Sequence, residues 1–341
     1  MKRTSTPRNR TPRNRTPRNR TPRTRTPRTR TPRNRTPRTR RVLAAAALAA
    51  TTALGLSACM PPGYYGASGT VDNGDQKSMH VVVFNGWDED TAASYLWKHV
   101  LEQQGYDVQL TNSDVAPAYT GLASGDYDVV FDTWLPNTHK EYMDTYGEDL
   151  TDLGAWNEQA SLELAVPEYS DIDSIDELKA KASDFGNRIV GIEPAAGETK
   201  VVQDQVIPQY GLDGMDFVTS STPAMLADLK AAIAKQQDVV VTLWRPHWAY
   251  DAFPIKDLED PKGALGENEE IHTIAKKDFG DDFPQASKWM EDFEMDSDTL
   301  YSLENALVNS GAKTSEYPAI TAKWASEHQD YVDSLTSTNE K

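Results

Sequence analysis

A pattern repeated at long range constrains this chain more than any single motif. Asp128, Val129 and Val130 followed by Trp134, Leu135 and Pro136 return as Asp238, Val239 and Val240 followed by Trp244, Arg245 and Pro246, every residue displaced by 110 positions. Each copy follows a helical stretch, 118–124 and 224–235, and reads as a short buried strand with a tryptophan and a proline where that strand should end. One structural role used twice implies two similar halves. Around the first copy, the apolar run HVVVFNGW from His80 suits a strand buried on both faces, and Asp90 or Thr91 can cap the helix after it. Ala92, Tyr95, Leu96, Val100 and Leu101 recur at helical spacing, Gly105 ends the helix, and YDVQL begins another strand, a βαβ unit that implies a parallel sheet. The same succession restarts at NRIVGIEP from Asn187 and runs through Pro194, Ala195, Ala196 and Gly197 into a helical stretch reaching Val206. The expected fold class is therefore α/β with two lobes, one at 79–165 plus 285–341 and the other at 166–284. The helical residues from about 285 onward are expected to fold back onto the first lobe. Ligands of open α/β sheets lie beyond the carboxyl ends of strands, so Trp134 and Trp244 are expected to face a shared cleft, with Trp87 leaving its strand end in the same way.

The first 41 residues stand apart. They repeat TPRNR or TPRTR from Thr6 to Arg40 and contain Lys2, sixteen arginines and no acid, a composition that cannot supply a core. Residues 42–58 are uncharged, too short and alanine-rich for a spanning helix, and end in small residues before Cys59, as a secretory signal does. Leu56, Ser57, Ala58 and Cys59 resemble the lipobox of bacterial lipoproteins, which implies cleavage before Cys59 and diacylation of its thiol, the two chains that stable anchoring needs. Cys59 is the sole cysteine, so no intrachain disulfide forms. Residues 59–78 then read as a lipidated cysteine and a Gly/Pro-rich tether. The export route stays open, as does the origin of the arginine repeat: a long n-region, or a start placed too far upstream. Of 35 basic residues 17 precede Cys59, whereas all 52 acidic ones follow it, so the chain from Cys59 carries a net charge of −34. Nucleic acid would be repelled by such a surface.

Five short stretches together carry a resemblance: Gly86-Trp87; Trp134-Leu135-Pro136-Asn137-Thr138-His139; Gly191-Ile192-Glu193-Pro194; Trp244-Arg245-Pro246-His247-Trp248; and Glu270-Ile271-His272-Thr273-Ile274. In this arrangement, from residue 79 to about 335, the chain resembles the glycine betaine binding proteins of ABC importers, the OpuAC family. The resemblance implies a two-lobed periplasmic-binding-protein fold, type II-like, with the ligand cleft between the lobes. It implies an extracytoplasmic protein, lipid-anchored to the cell membrane, that hands an osmoprotectant to an ABC permease and its ATPase, with no cofactor and no metal.

The resemblance assigns an ammonium cage to Trp87, Trp134 and Trp244, and the ligand's carboxylate to the His139 side chain and the backbone amides of Gly197 and Glu198. The residue types suit that chemistry. A trimethylammonium group is charged but has no proton to donate, and indole faces attract it without bearing charge. At about 0.5–2 kcal/mol per ring, three rings fall short of the roughly 8 kcal/mol that micromolar binding requires, so the carboxylate end must contribute. A helix start, with unpaired amides and a positive dipole end, is a ready anion site, and Gly197 allows close backbone approach. The chain departs from the family's glycine-rich version there, with Ala195 and Ala196 before Gly197 and Glu198 after it. Because a carboxylate would repel the ligand's own, the Glu198 side chain is expected to turn to solvent. Trp248 is expected to pack beneath the site, Trp97, Trp156, Trp289 and Trp324 in the core, and His247 and His272 to be structural. Choline lacks the carboxylate and would leave His139 and the amides unpaired, so glycine betaine is favoured, with proline betaine, carnitine, ectoine and choline as alternatives. A secreted lipoprotein enzyme is the rival from another class, but no nucleophile elbow, no HExxH and no P-loop occurs, and the six histidines are scattered.

Overall fold

β1 (Ser78–Phe84) buries every side chain from Val81 to Phe84, as a run of β-branched and aromatic residues does in a covered sheet. Gly86 turns the chain at φ +83°, a conformation glycine adopts at no steric cost. α1 (Asp88–Gln103) then begins with Asp88, Glu89 and Asp90 in its first turn. The cap is Trp87, in extended conformation, rather than Asp90 or Thr91. The helix starts earlier because the Asp90 carboxylate is drawn under the strand, where it accepts the Phe84 amide at 2.6 Å. The computed structural model describes residues 77–337, so the arginine repeat, the signal segment, Cys59 and all but the last residues of the tether lie outside the described residues.

β2 (Asp107–Ser113), α2 (Val115–Ser124), β3 (Val129–Leu135) and α3 (Lys140–Tyr146) complete the first half, and β4 (Leu150–Pro167) leads to the second. There α4 (Ile175–Lys181), β5 (Arg188–Val190), α5 (Gly197–Val201), α6 (Ile207–Tyr210), β6 (Asp216–Val218), α7 (Thr222–Lys235), β7 (Val241–Arg245), α8 (Ala249–Ala252) and β8 (Ile255–Asp257) follow in order. α5 runs into α6 through a widened turn at Val202–Val206. β9 (Glu269–Lys276) precedes five helices, α9 (Phe279–Asp282), α10 (Pro284–Glu291), α11 (Ser297–Glu304), α12 (Tyr317–Glu327) and α13 (Gln329–Ser334). α11 and α12 pack on α1, so the C-terminal helices do return to the first half.

The strands hydrogen-bond in the order β2-β1-β3-β9-β4-β7-β5-β6, with β8 beside β4. The repeat seen in the sequence is a repeat of topology. β2-β1-β3 are parallel with Val81 opposite Val129, and β6-β5-β7 are parallel with Val190 opposite Val241. Between these triplets lie β9 and β4, antiparallel to their neighbours, so the sheet is mixed rather than parallel throughout. β4 spans both halves: Leu150 to Ala160 pairs with β9, Ser161 to Ala165 with β7, and Ala165 to Pro167 with β8. β9 also pairs with β3, which puts residues 269–276, counted in the sequence with 166–284, into the first sheet. Its alternating pattern marks a strand but not a partner, and only the antiparallel pairing with β3 and β4 decides its place.

The core beneath the first sheet is aromatic. Trp97 lies parallel to Phe131 with centroids 6.0 Å apart, Trp156 stacks on Phe293 at 5.2 Å, and the Trp156 indole N–H donates to the Phe131 carbonyl at 2.6 Å. Trp97, Trp156, Trp289 and Trp324 are all buried, as expected of core residues. Trp156 joins β4, β3 and the C-terminal segment in one contact. Trp156→Ala is expected to destabilise the fold by ~3–5 kcal/mol, read as a lowered denaturant midpoint; a loss below about 1 kcal/mol would show that the site collapses around the deletion.

Candidate functional site

Trp134 ends β3 opposite Ile271 of β9, and Trp244 sits at the matching place in β7 opposite Leu162 of β4. Each is followed by a cis X–Pro bond, Leu135–Pro136 and Arg245–Pro246. Both indoles, together with Trp87, line a cavity of about 280 Å³ whose other walls are Glu89, Thr138, His139, Leu162, Ile192, Ala196, Gly197 and Glu198. Two of the indoles are held by carboxylates: Trp134 Nε1 donates to Asp132 Oδ1 at 2.7 Å, and Trp87 Nε1 reaches Glu193 Oε2 at 3.4 Å. Trp244 Nε1 is buried without a partner. Glu193 also accepts the Thr222 amide at 2.8 Å and hydroxyl at 2.9 Å, so it ties the loop after β5 to the start of α7 while touching Trp87 from the other half.

The wall around His139 is built with similar economy. Glu269, buried at the start of β9, accepts the amides of Asn137 and Thr138 at 2.8 and 2.9 Å and also the Thr138 hydroxyl, fixing the loop that delivers His139. His139 is 1 % exposed and stacks on Trp87 with centroids 5.5 Å apart. Its Nδ1 accepts the Trp134 amide at 2.8 Å, which leaves the proton on Nε2, and Nε2 has no partner. Burial pushes its pKa down to about 3, so the ring is neutral and presents a donor. α5 starts beside it. A Cβ on Gly197 would come within 2.2 Å of the Thr138 carbonyl oxygen, so only glycine lets this helix start abut the 136–139 loop.

All six residues singled out for the site, Trp87, Trp134, Trp244, His139, Gly197 and Glu198, line one cavity. The Glu198 side chain differs from expectation. It is buried, 3 % exposed, instead of turned to solvent. Burial first, then the charges of Glu163 and Glu193, push its pKa well up, against a smaller opposing effect of the Leu243 backbone. Trp248 is buried and donates to Asp88 Oδ2 at 2.5 Å across the two halves. His247 is buried against the Trp244 ring at 4.7 Å, and His272 is held by Asp152 at 3.0 Å, both structural.

A set of buried acids escaped the sequence reading. Asp88, Glu89, Asp90 and Asp132 lie behind the cage with Glu304 of α11, and Glu89 reaches the cavity wall. No lysine or arginine pairs with them among the described residues. Burial pushes Asp88 to about 6 and Asp90 to about 7, and holds Glu89, Asp132 and Glu304 well above the usual carboxylate range. The signal in the sequence was the acidic turn after Trp87, which reads equally well as a solvated helix start. No group of three or more His, Cys, Asp or Glu among the described residues is placed to hold a metal ion.

The family model for the substrate binding domain of the ABC-type glycine betaine transport system, OpuAC, matches residues 80–327. The chain belongs to the OpuAC family. Over 155 residues, 45 % of this chain and 50 % of the relative, it is 34 % identical to the glycine betaine/carnitine transport binding protein GbuC of Listeria monocytogenes, so the match spans half of that relative's length. Among solved structures it resembles lactococcal OpuAC in its closed form with glycine betaine, at 31 % identity and a TM-score of 0.70, covering 76 % of this chain and 100 % of that one. The glycine/betaine/L-proline-binding protein ProX of Borrelia burgdorferi superposes with a TM-score of 0.71 at 29 % identity, over 76 % of this chain and 97 % of its own. The OpuAC fold is two-lobed and α/β, and the cavity of this member is lined by residues from both halves and from β4.

The acids set a pH dependence whose sign is opposite to ordinary acid denaturation. Unfolded, Asp88 and Asp90 ionise near pH 4; folded, they keep their protons to about pH 6 and 7. Between those limits the folded state binds more protons, so their contribution falls as pH rises from about 4 to 7. The thermal midpoint is expected to be higher at pH 5 than at pH 8, and Asp90→Asn to narrow the gap; an unchanged gap would clear Asp90 of the effect.

Proposed function

We propose that this chain is the ligand-capturing component of an ABC importer for a small quaternary ammonium zwitterion, with glycine betaine as the preferred ligand. The observation that carries the reading is that one cavity brings together three indoles and an unpartnered neutral Nε2–H beside a helix start. A trimethylammonium group fits the first, because it needs polarisable faces and cannot use acceptors. A carboxylate fits the second, because free amides and a polarised donor compensate it without a counter-charge. Trp87, Trp134 and Trp244 form the cage in this reading, and His139 with the amides of Gly197 and Glu198 holds the carboxylate. GbuC is named for glycine betaine and carnitine, which supports a ligand of this class.

The rest of the proposal concerns setting. The protein acts on the extracytoplasmic side as a binding protein and not an enzyme, tethered through diacylated Cys59, and passes its ligand to a permease coupled to an ATPase. The lobes that close on the ligand are proposed as 79–165 plus the C-terminal helices and the segment around β5 to β8. Among the described residues no helix is long and apolar enough to cross a membrane.

Calorimetric titration of the purified protein with glycine betaine, choline, carnitine and ectoine tests the reading. Saturable betaine binding well ahead of choline is the expected result; choline ahead of betaine would keep the cage and refute the anion end. Trp134→Ala is expected to weaken betaine by ~1–2 kcal/mol, roughly 5- to 30-fold, and an unchanged affinity in the folded variant would remove Trp134 from the cage. His139→Ala is expected to weaken betaine by about tenfold or more while leaving choline less affected, since the lost bond is to a charged group.

A further inference from the structure

The segment that leaves β7 is gripped by both halves. Arg245 donates to Asp257 Oδ2 at 2.7 Å and lies over the Tyr250 ring at 3.5 Å, and the Tyr250 hydroxyl donates to Asp257 Oδ1 at 2.5 Å, so residues 245–251 are stapled to their own half. The first half holds the same segment at two places. The Trp248 indole N–H donates to Asp88 Oδ2, at the start of α1, at 2.5 Å, and the Asn305 side-chain amide, just after α11, donates to Asp251 Oδ2 at 2.9 Å. His247 puts Nε2 3.8 Å from the same Asp88 oxygen. None of Asp88, Trp248, Asp251 and Asn305 lines the cavity. The segment nevertheless reaches the cage, because His247 stacks on Trp248 with centroids 5.6 Å apart and packs at right angles to Trp244 at 4.7 Å.

We propose that residues 246–251 form a latch whose bonds to Asp88 and Asn305 are made when the halves close on a ligand and broken when they part, so that they set how slowly the ligand leaves without touching it. This rests on the reading that the two halves close around a captured zwitterion. The partners in each bond come from different halves, and Asp251 and Asn305 lie at the surface, so water takes over their hydrogen bonds once the halves separate. A bond present only in the closed form adds its free energy to retention of the ligand and leaves its capture by the open form unaided. The bond to Asp88 is the stronger of the two, because its acceptor is a carboxylate with no lysine or arginine beside it among the described residues. The other carboxyl groups facing it, Glu89, Glu193 and Glu304, are all acids. On the α5 side the halves also meet, with Gly197 against Thr138 and the Tyr142 hydroxyl donating to the Ala195 carbonyl at 3.2 Å, but there they meet at the cavity wall itself. The 246–251 side is where closure can be altered while the ligand's surroundings stay intact.

Dissociation of labelled glycine betaine, chased with excess unlabelled ligand at pH 8, tests the latch; choline or carnitine serves if it binds in place of betaine. At that pH Asp88, which burial pushes to about 6, is ionised. Asp88→Ala and Trp248→Phe are each expected to speed dissociation about tenfold, the loss of one hydrogen bond to a charged group, with association within about threefold of native. Both remove the same bond, so the double variant is expected to be no faster than the faster single one. Asn305→Asp, which sets a second carboxylate against Asp251, is expected to speed dissociation about two- to fivefold while leaving the thermal midpoint of the unliganded protein unchanged. Asn305 is not buried, so this variant decides the matter if the others fail to fold. A native dissociation rate in Asn305→Asp, single effects that multiply in the double variant, or a loss of affinity carried by slower association overturns the latch and leaves the proposed function standing. Absence of binding by betaine, choline and carnitine alike brings down the proposed function and this inference with it.

Discussion

One strand holds the two halves together. β4 gives its first eleven residues, Leu150 to Ala160, to an irregular ladder with β9 and its last seven to ladders with β7 and β8, so strand pairing links the first triplet to the second. The register is what aims the site. Trp244 pairs with Leu162 in that ladder, and Trp134 lies one strand beyond, opposite Ile271 of β9, which itself lies against Asn157 of β4. A slip of one residue along β4 would turn side chains to the opposite face. The indoles are positioned by the most collective bonds in the molecule, and the loops around them are free to carry polar groups.

Those polar groups follow a consistent logic of charge. The cavity wall carries no lysine or arginine, and the donors it does offer, a histidine stripped of its proton and a helix start, are neutral. Acids gather behind the indoles instead, where Asp132 and Glu193 hold indole N–H groups and Glu89 reaches the wall. The two ends of the cavity are thus distinguished by hydrogen-bond chemistry rather than by opposite formal charges.

Much of this was legible in the residues. The repeat at 110 positions located Trp134 and Trp244 at equivalent strand ends, because a buried strand followed by Trp and Pro is a local pattern that recurs intact. Gly197 was legible as a point of close approach, though only the fold identified the Thr138 carbonyl as what approaches. What stayed hidden depended on distant contacts. Glu198 follows a helix start, where solvent is the ordinary destination of a carboxylate, and nothing local shows that β4 and β7 close over it. The place of β9 was hidden for the same reason, since alternation along 269–276 marks a strand without naming its neighbours.

The close fit of Gly197 against Thr138 reaches further than the helix start it permits. Trp87, Trp134 and His139 come from the first triplet and the segments after its strands, whereas α5 and Trp244 come from the second, so the cavity wall is divided between the halves. Either half folded alone would display fragments of both ends and complete neither. The cavity therefore works as a coincidence detector for tertiary assembly. In this architecture the free energy of ligand capture is added to the docking of the halves and not to the folding of either one, which makes occupancy a reporter of how the halves are arranged.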